Sequence, residues 1–274
     1  MNRSRPKKYR KVLTIAGSDS GGGAGIQADL KTYAALGCYG MSVITAITAQ
    51  NTCNIDAVFP VPEKIIAKQL DAILSDIGSD AVKIGMLFSS RVIEVVAQKI
   101  KQYEVDKIVL DPVMAAQNGV PLLDKKAMEA MRSLLMPLST LITPNLPETE
   151  ALLGRCIESL EEVKSAAKDM VSFGPTNVLI KGGHSLKHPG TDVLYLSKKN
   201  NFIILKNNYI VTENTHGTGC TLSSAVTAYL ARGFNIKTAV RKAKIYLSKA
   251  LETGSAYRIG KGRGPVHHFF NFWD

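Results

Sequence analysis

Asn214-Thr215-His216-Gly217-Thr218-Gly219-Cys220, running directly into Thr221-Leu222-Ser223-Ser224-Ala225-Val226, is the stretch on which the reading of this chain turns. Two glycines flank a threonine, a cysteine follows, and then small and apolar residues recur at helical spacing. Glycines ahead of a helix let backbone N–H groups converge on one point. The helix end adds unpaired donors and partial positive charge. Together these make an anion-binding cup, with Cys220 where developing negative charge would be stabilised. A Gly-x-Gly before a helix is also simply a tight turn, so the rest of the chain has to decide between the two.

Outward from that loop, short β-rich apolar runs alternate with helical patterns. Strands are expected at Val12–Ala16, Met41–Ala49, Ala81–Met86, Lys107–Leu110, Thr140–Thr143 and Asn177–Ile180. Helices are expected at Gly25–Leu36, Glu63–Ile77, Ser90–Tyr103, Lys125–Leu135, Glu148–Leu153, Leu160–Phe173, Thr221–Arg232 and Ile236–Thr253. Thr191–Leu196 and Phe202–Ile210 flank Lys198-Lys199-Asn200-Asn201, which reads as a hairpin. This alternation predicts an α/β fold: a mostly parallel central sheet with helices on both faces and an antiparallel hairpin at its edge.

The 274 residues suit one large α/β domain, and no linker, repeat or low-complexity stretch divides them. Residues 12–274 are expected to form that domain, behind a basic, disordered arm at 1–11. The formal charge is +11, from 34 basic and 23 acidic side chains, and six of the basic ones (Arg3, Arg5, Lys7, Lys8, Arg10, Lys11) lie in the arm. Basic and aromatic residues are not interleaved as a nucleic-acid platform requires. Attraction of a small anionic substrate is the milder inference. No apolar run approaches the roughly 20 residues of a membrane span, and no signal-peptide core follows the arm. Cys38, Cys53, Cys156 and Cys220 are widely spaced, without a Cys-x-x-Cys pair. Reduced thiols in the cytoplasm fit that pattern.

In open parallel sheets, ligands bind beyond the carboxyl ends of the strands. The segments expected there are polar and glycine-rich: Gly17 to Gly25, Gln50-Asn51, Gly85-Met86, Asp111-Pro112-Val113-Met114, Pro144 to Glu148 and Lys181-Gly182-Gly183-His184. Gly21 to Gly25 is neither a P-loop nor a dinucleotide fingerprint. Asp111 ends an apolar strand, where a carboxylate can orient Mg²⁺ or cap a turn. Asn145-x-x-Glu148 sets an amide and a carboxylate about one turn apart, which suits Mg²⁺ with phosphate oxygens and equally suits a helix cap after Pro144. Lys181 ends another strand beside two glycines, a good position for a phosphate contact. His216 reads as a hydrogen-bonding residue of its loop rather than a general base. The other histidines have no metal-ligand spacing, and Gly264-Pro265-Val266-His267-His268-Phe269 suggests no mechanism by itself.

These segments, taken in order, resemble the hydroxymethylpyrimidine/phosphomethylpyrimidine kinases of thiamin synthesis. The likeness is carried by Thr14 to Thr32, Ser42 to Ala46, Ala49 to Thr52, Lys83 to Leu87, Leu141 to Glu148, Lys181 to His184, Asn214 to Cys220 and Gly264 to Phe269, and it spans the chain from about residue 12. The resemblance implies a ribokinase-like fold, ATP with Mg²⁺, a small heteroaromatic alcohol as substrate, and a homodimer. It implies that Gln50 reads the pyrimidine edge, that Ala24, Thr48, Met86 and Val113 line the ring pocket, and that Asp29 approaches the substrate. Lys181, Asn145 and Thr215 belong on the ATP side, and Asp111 and Glu148 with the metal. Gly217, Thr218, Gly219 and Cys220 carry the catalytic step, Cys220 standing where many ribokinase-like enzymes have an aspartate. Some close homologues phosphorylate pyridoxal and use a second cysteine after Asp-Pro-Val-Met. Here Ala115-Ala116-Gln117-Asn118-Gly119 follows instead, which favours the pyrimidine. The rivals are a pyridoxal kinase and a non-catalytic pyrimidine-binding protein; the second should have lost the anion hole or a metal carboxylate, and neither is lost.

Overall fold

The structure, a computed structural model, describes residues 8–114, 123–182, 190–206 and 210–273. Its centre is a nine-stranded sheet. The strands are β1 (Lys11–Asp19), β2 (Tyr39–Gln50), β3 (Ile55–Pro60), β4 (Ala81–Ile84), β5 (Ile108–Leu110), β6 (Leu141–Ile142), β7 (Asn177–Ile180), β8 (Thr191–Leu196) and β9 (Asn201–Lys206), in spatial order β3-β2-β1-β4-β5-β6-β7-β8-β9. β2, β1, β4, β5, β6 and β7 run parallel. β8 and β9 form the expected antiparallel hairpin at one edge. At the other edge β3 pairs antiparallel with β2, a strand the sequence reading did not anticipate. Its residues Ile55 to Pro60 are exposed or half-exposed and end in proline, so they lack the apolar signal of a buried strand.

The helices are α1 (Gly25–Ala35), α2 (Glu63–Asp76), α3 (Ser90–Gln102), α4 (Lys125–Ala130), α5 (Leu146–Leu153), α6 (Leu160–Val171), α7 (Thr218–Ala231) and α8 (Ile236–Gly254). The helix expected to run unbroken to Leu135 widens into a π-helical turn over Met131–Leu135. Strand side chains alternate between the two faces, and the core divides accordingly. Leu13, Ile15, Val82, Ile84 and Leu110 pack with α2, α3 and α6 on one face. Val12, Ala81 and Val109 pack with α7 and α8 on the other. α1 joins this second face through Tyr33. The parallel strands are buried on both sides, which explains their continuous apolar runs.

α7 begins at Thr218, three residues before the helix start read from the sequence, with Gly217 as its N-cap at φ +79°. A side chain at Gly217 would be strained by that dihedral and would collide with the Gly23 carbonyl. The loop after β1 and the loop before α7 are thereby packed backbone to backbone. Among the described residues no helix is long and apolar enough to cross a membrane.

Candidate active site

The carboxyl ends of the parallel strands carry the polar residues the sequence placed there, and they fall into two groups on either side of the α7 N-terminus. On the first side lies Asp19, the last residue of β1. Its carboxylate accepts from the Gly21, Gly23 and Ala24 amides at 2.8, 3.1 and 2.8 Å, and His216 Nε2 lies 2.8 Å away. The glycine-rich loop is therefore wrapped around its own aspartate, and its amides are not free for a phosphate. Burial pulls the Asp19 carboxyl upward, but the His216 contact and the loop amides outweigh it and hold it below the ordinary value. Gln50 stands alongside, its Oε1 3.2 Å from Thr48 Oγ1 and its Nε2 3.4 Å from His216 Nε2. Thr48 is registered opposite Asp19. Met86 leans into the space a side chain at Gly17 would fill, and its carbonyl accepts from Thr45. Val113 lies two residues past Asp111 and its amide bonds the Asp111 carbonyl.

On the second side the structure brings together Asp111, Asn145, Glu148 and Lys181. Lys181 Nζ donates to Asp111 Oδ1 at 2.9 Å, and Thr143 Oγ1 donates to the same oxygen at 2.9 Å. Ser223 Oγ, from α7, lies 3.1 Å from Asp111 Oδ2. Burial raises the Asp111 carboxyl, but the charges of Lys181 and Lys83 prevail and hold it low. Lys181, although burial opposes its charge, is pushed up by Asp111 and Glu148. Asn145 and Glu148 form a reciprocal capping box on α5, with bonds of 2.8 and 2.7 Å. The capping reading of this pair is thus correct in geometry. Burial first, and then Asp111's charge, push the Glu148 carboxyl up to about 7 against the pull of Lys181. Gly219 closes this group, because a Cβ there would sit 3.5 Å from Lys181 Nζ and 3.7 Å from Asp111 Oδ2.

Between the two groups lie Gly217, Thr218, Gly219 and Cys220, the cap and first turn of α7. The first regular helical bond is from the Thr221 amide to the Gly217 carbonyl, so the Gly219 and Cys220 amides precede the hydrogen-bonded ladder. Thr215 forms the turn before them, its carbonyl accepting from Thr218 at 3.3 Å. The Gly25 amide, at the start of α1, acts on the Cys220 sulfur in favour of its charged form, though less strongly than burial opposes it. The starts of α1 and α7 are neighbours, since a Cβ at Gly217 would sit 3.4 Å from the Ala24 Cα.

Burial governs two further side chains. A helix N-terminus lowers a thiol's pKa, yet burial dominates at Cys220 and, with Asp29 and Asp111 reinforcing it against Lys83, pushes the thiol up to about 11. In this structure it is a thiol, not a ready thiolate. Asp29, expected to approach the substrate, is 0% exposed, and its oxygens accept from Thr14, Lys83 and Ser224.

Sequence reasoning overlooked Asp19 as the loop's organiser, and Lys83. The second was detectable, since a lysine inside the apolar run Ala81-Val82-Lys83-Ile84 has to be paired if the strand is buried. The C-terminal motif also gains a purpose. The Gly264 carbonyl accepts from the His216 amide, and His268 Nε2 lies 3.0 Å from Thr221 Oγ1. Burial pushes His268 down to about 3, so it supports the first turn of α7 as a neutral ring. Gly183, His184 and Ala115 to Gly119 lie outside the described residues.

Fold and site together define a small-molecule kinase of ribokinase-like architecture. The chain belongs to the phosphomethylpyrimidine kinase family, whose model matches residues 19–267. It is 45% identical to the hydroxymethylpyrimidine/phosphomethylpyrimidine kinase of Escherichia coli over 97% of this chain and 100% of that protein. It is 46% identical to a thiamine biosynthesis bifunctional protein of Geobacter sulfurreducens over 97% of this chain, and there it spans only 54% of the relative's length. Among solved structures, the pyridoxal kinase from Staphylococcus aureus in complex with AMP-PCP and pyridoxal superposes with a TM-score of 0.88 at 37% identity, covering 97% of this chain and 96% of that one.

Proposed function

We propose that this chain transfers the γ-phosphoryl group of ATP to 4-amino-5-hydroxymethyl-2-methylpyrimidine, and then phosphorylates the monophosphate to the diphosphate, in thiamin biosynthesis. The observation that carries this reading is the convergence on the α7 N-terminus of a charge-balanced group, Lys181, Asp111 and Glu148, from one side and the Gln50–His216–Asp19 group from the other. Phosphoryl transfer asks mainly for positioning and charge neutralisation, and these are what the two groups offer. Gln50 would hold the aminopyrimidine edge, with Ala24, Thr48, Met86 and Val113 about the ring. The Gly217, Thr218, Gly219 and Cys220 backbone would receive the transferring phosphoryl, and Cys220 would take the hydroxymethyl proton. Lys181, Asn145 and Thr215 would attend the ATP phosphates.

Asp111 and Glu148 are the residues that would hold Mg²⁺, where the ion supplies neutralisation of phosphate charge. Two neighbouring carboxylates fit that role, because Mg²⁺ in such sites takes one or two carboxylates and completes its shell with phosphate and water. We read the enzyme as cytoplasmic and homodimeric, and residues 12–274 as one catalytic domain behind the basic arm.

The structural likeness to pyridoxal kinases favours a second reading, in which pyridoxal is the alcohol. A coupled ADP-release assay with both alcohols and with the pyrimidine monophosphate tests the proposal. Turnover on the pyrimidine and its phosphate is expected to exceed that on pyridoxal; the reverse order would replace the first reading with the second.

A further inference from the structure

Lys83 and Asp29 form an ion pair with neither side chain exposed, Nζ lying 2.8 and 3.0 Å from the two carboxylate oxygens. Thr14 Oγ1 donates to Asp29 at 2.6 Å and Ser224 Oγ at 2.7 Å. These residues come from four elements. Thr14 and Lys83 are registered neighbours on β1 and β4, Asp29 is on α1 and Ser224 is on α7. An ion pair of this kind is weak evidence for stability, since well-packed apolar residues commonly do as well or better. Its placement suggests another use. Asp29 lies four residues after Gly25, and Ser224 four residues after Cys220, so each is one helical turn behind its partner on the same helix face. The Asp29–Ser224 bond therefore ties α1 to α7 one turn behind Gly25 and Cys220, close to where the two helix starts pack together.

We propose that Asp29 and Lys83 are positioning residues for Cys220: through Ser224 the pair pins the starts of α1 and α7 together, with Thr14 anchoring it to β1, and so fixes the sulfur at the α7 N-terminus with one cation behind it. The charged groups that act on the sulfur are Lys83 from β4, Asp29 from α1 and Asp111 beyond β5. Lys83 alone of these favours the thiolate, and the two aspartates oppose it. Lys181, beyond β7, interacts with the sulfur as well. The catalytic part of this inference rests on the kinase reading above, while the positioning part does not.

The test uses the full-length protein with the exposed Cys53 and Cys156 changed to serine. Ser224→Ala removes one hydroxyl and keeps the ion pair; Asp29→Asn combined with Lys83→Met removes both charges without stranding either. Circular dichroism checks folding. Iodoacetamide labelling of Cys220, mapped by mass spectrometry across pH 7 to about 10, reads the thiol directly. Ser224→Ala is expected to change the labelling rate at pH 9 by at least about threefold and to lower kcat about tenfold, with KM for alcohol and ATP little changed. The doubly neutral variant, which also loses the Asp29–Lys83 tie, is expected to shift the labelling rate at pH 9 by at least as much as Ser224→Ala. A folded Ser224→Ala protein whose labelling profile matches its parent would overturn the proposal, as would a loss confined to KM. Absence of turnover on both alcohols in the parent would overturn the kinase reading and leave the labelling result decisive for the pair.

Discussion

His216 Nε2 lies 2.8 Å from Asp19 Oδ2, joining loops that are 197 residues apart in sequence. Through this contact the glycine-rich loop after β1, the turn before α7 and the amide of Gln50 become one assembly. Asp19→Asn keeps the shape but weakens the pairing with three amides and the ring, and should cost about 1–3 kcal/mol. Because the Asp19 carboxyl is held low in the folded protein, its stabilisation is complete above the unfolded value of 3.8 and is lost as pH falls through the lower folded value. The melting-temperature gap between wild type and Asp19→Asn is therefore expected to be constant near neutrality and to close below about pH 4. A gap that stays constant down to pH 2.5 would place the stabilisation elsewhere.

Lys181 spends its charge on Asp111 in this structure, and the same ammonium would lie 3.5 Å from a Cβ at Gly219 in the first turn of α7. Replacing it with glutamine should raise KM for ATP about 10- to 100-fold, the worth of one charge-assisted hydrogen bond. KM for the alcohol should change little. The check is steady-state kinetics with each substrate varied in turn.

Glu148 caps α5 and is proposed to hold Mg²⁺, and glutamine separates the two roles. Glutamine can also serve at the third position of a capping box, so Glu148→Gln should fold normally while losing turnover that higher Mg²⁺ partly restores. Its raised folded pKa adds a pH signature. The folded protein binds this proton more tightly than the unfolded chain, so wild type loses stability relative to the glutamine variant as pH rises from about 4.5 to about 7. Melting curves across that range, without nucleotide or Mg²⁺, measure it.

Gln50→Leu removes the side-chain amide proposed to hold the pyrimidine edge. An unmet polar edge on the substrate should weaken binding by about 1–3 kcal/mol, seen as KM for the pyrimidine with kcat less affected. An unchanged KM would take Gln50 out of the ring pocket.

Much of this site was legible because its residues end apolar strands. Asp111 and Lys181 each follow a buried run directly, and a polar residue just past such a run falls at the carboxyl edge of a parallel sheet. The hairpin of β8 and β9 was legible from its turn, whereas β3 was not, since its stability comes from pairing with β2 rather than from burial of its own side chains. The start of α7 was placed at Thr221 because glycines read as loop. In the fold Gly217 uses its positive φ as a cap, and Thr218 and Gly219 are already helical. The surroundings of Asp29 were hidden from the sequence for a different reason. Its position within the family-like stretch is visible in sequence, but its partners Lys83 and Ser224 lie 54 and 195 residues away, and only folding reveals that its oxygens are already taken.

Cys220 provides the sharpest test of the chemistry. Held at about 11, the thiol is almost wholly protonated at neutral pH, so a proton-accepting role predicts a rate that climbs with pH rather than a plateau near 7. The logarithm of kcat should rise with a slope approaching 1 through the alkaline range in which the protein stays folded. Cys220→Ala should lower kcat by at least about a hundredfold, the usual worth of a general base, and should flatten that slope, with ATP affinity little changed. Cys220→Asp supplies a group that is ionised far below neutrality unless burial raises it strongly. It should therefore retain more activity than the alanine variant and show a weaker dependence on alkaline pH. Full activity with an unaltered pH profile in the alanine enzyme would remove the thiol from proton transfer and leave the step to the backbone donors of Gly217, Gly219 and residue 220 itself.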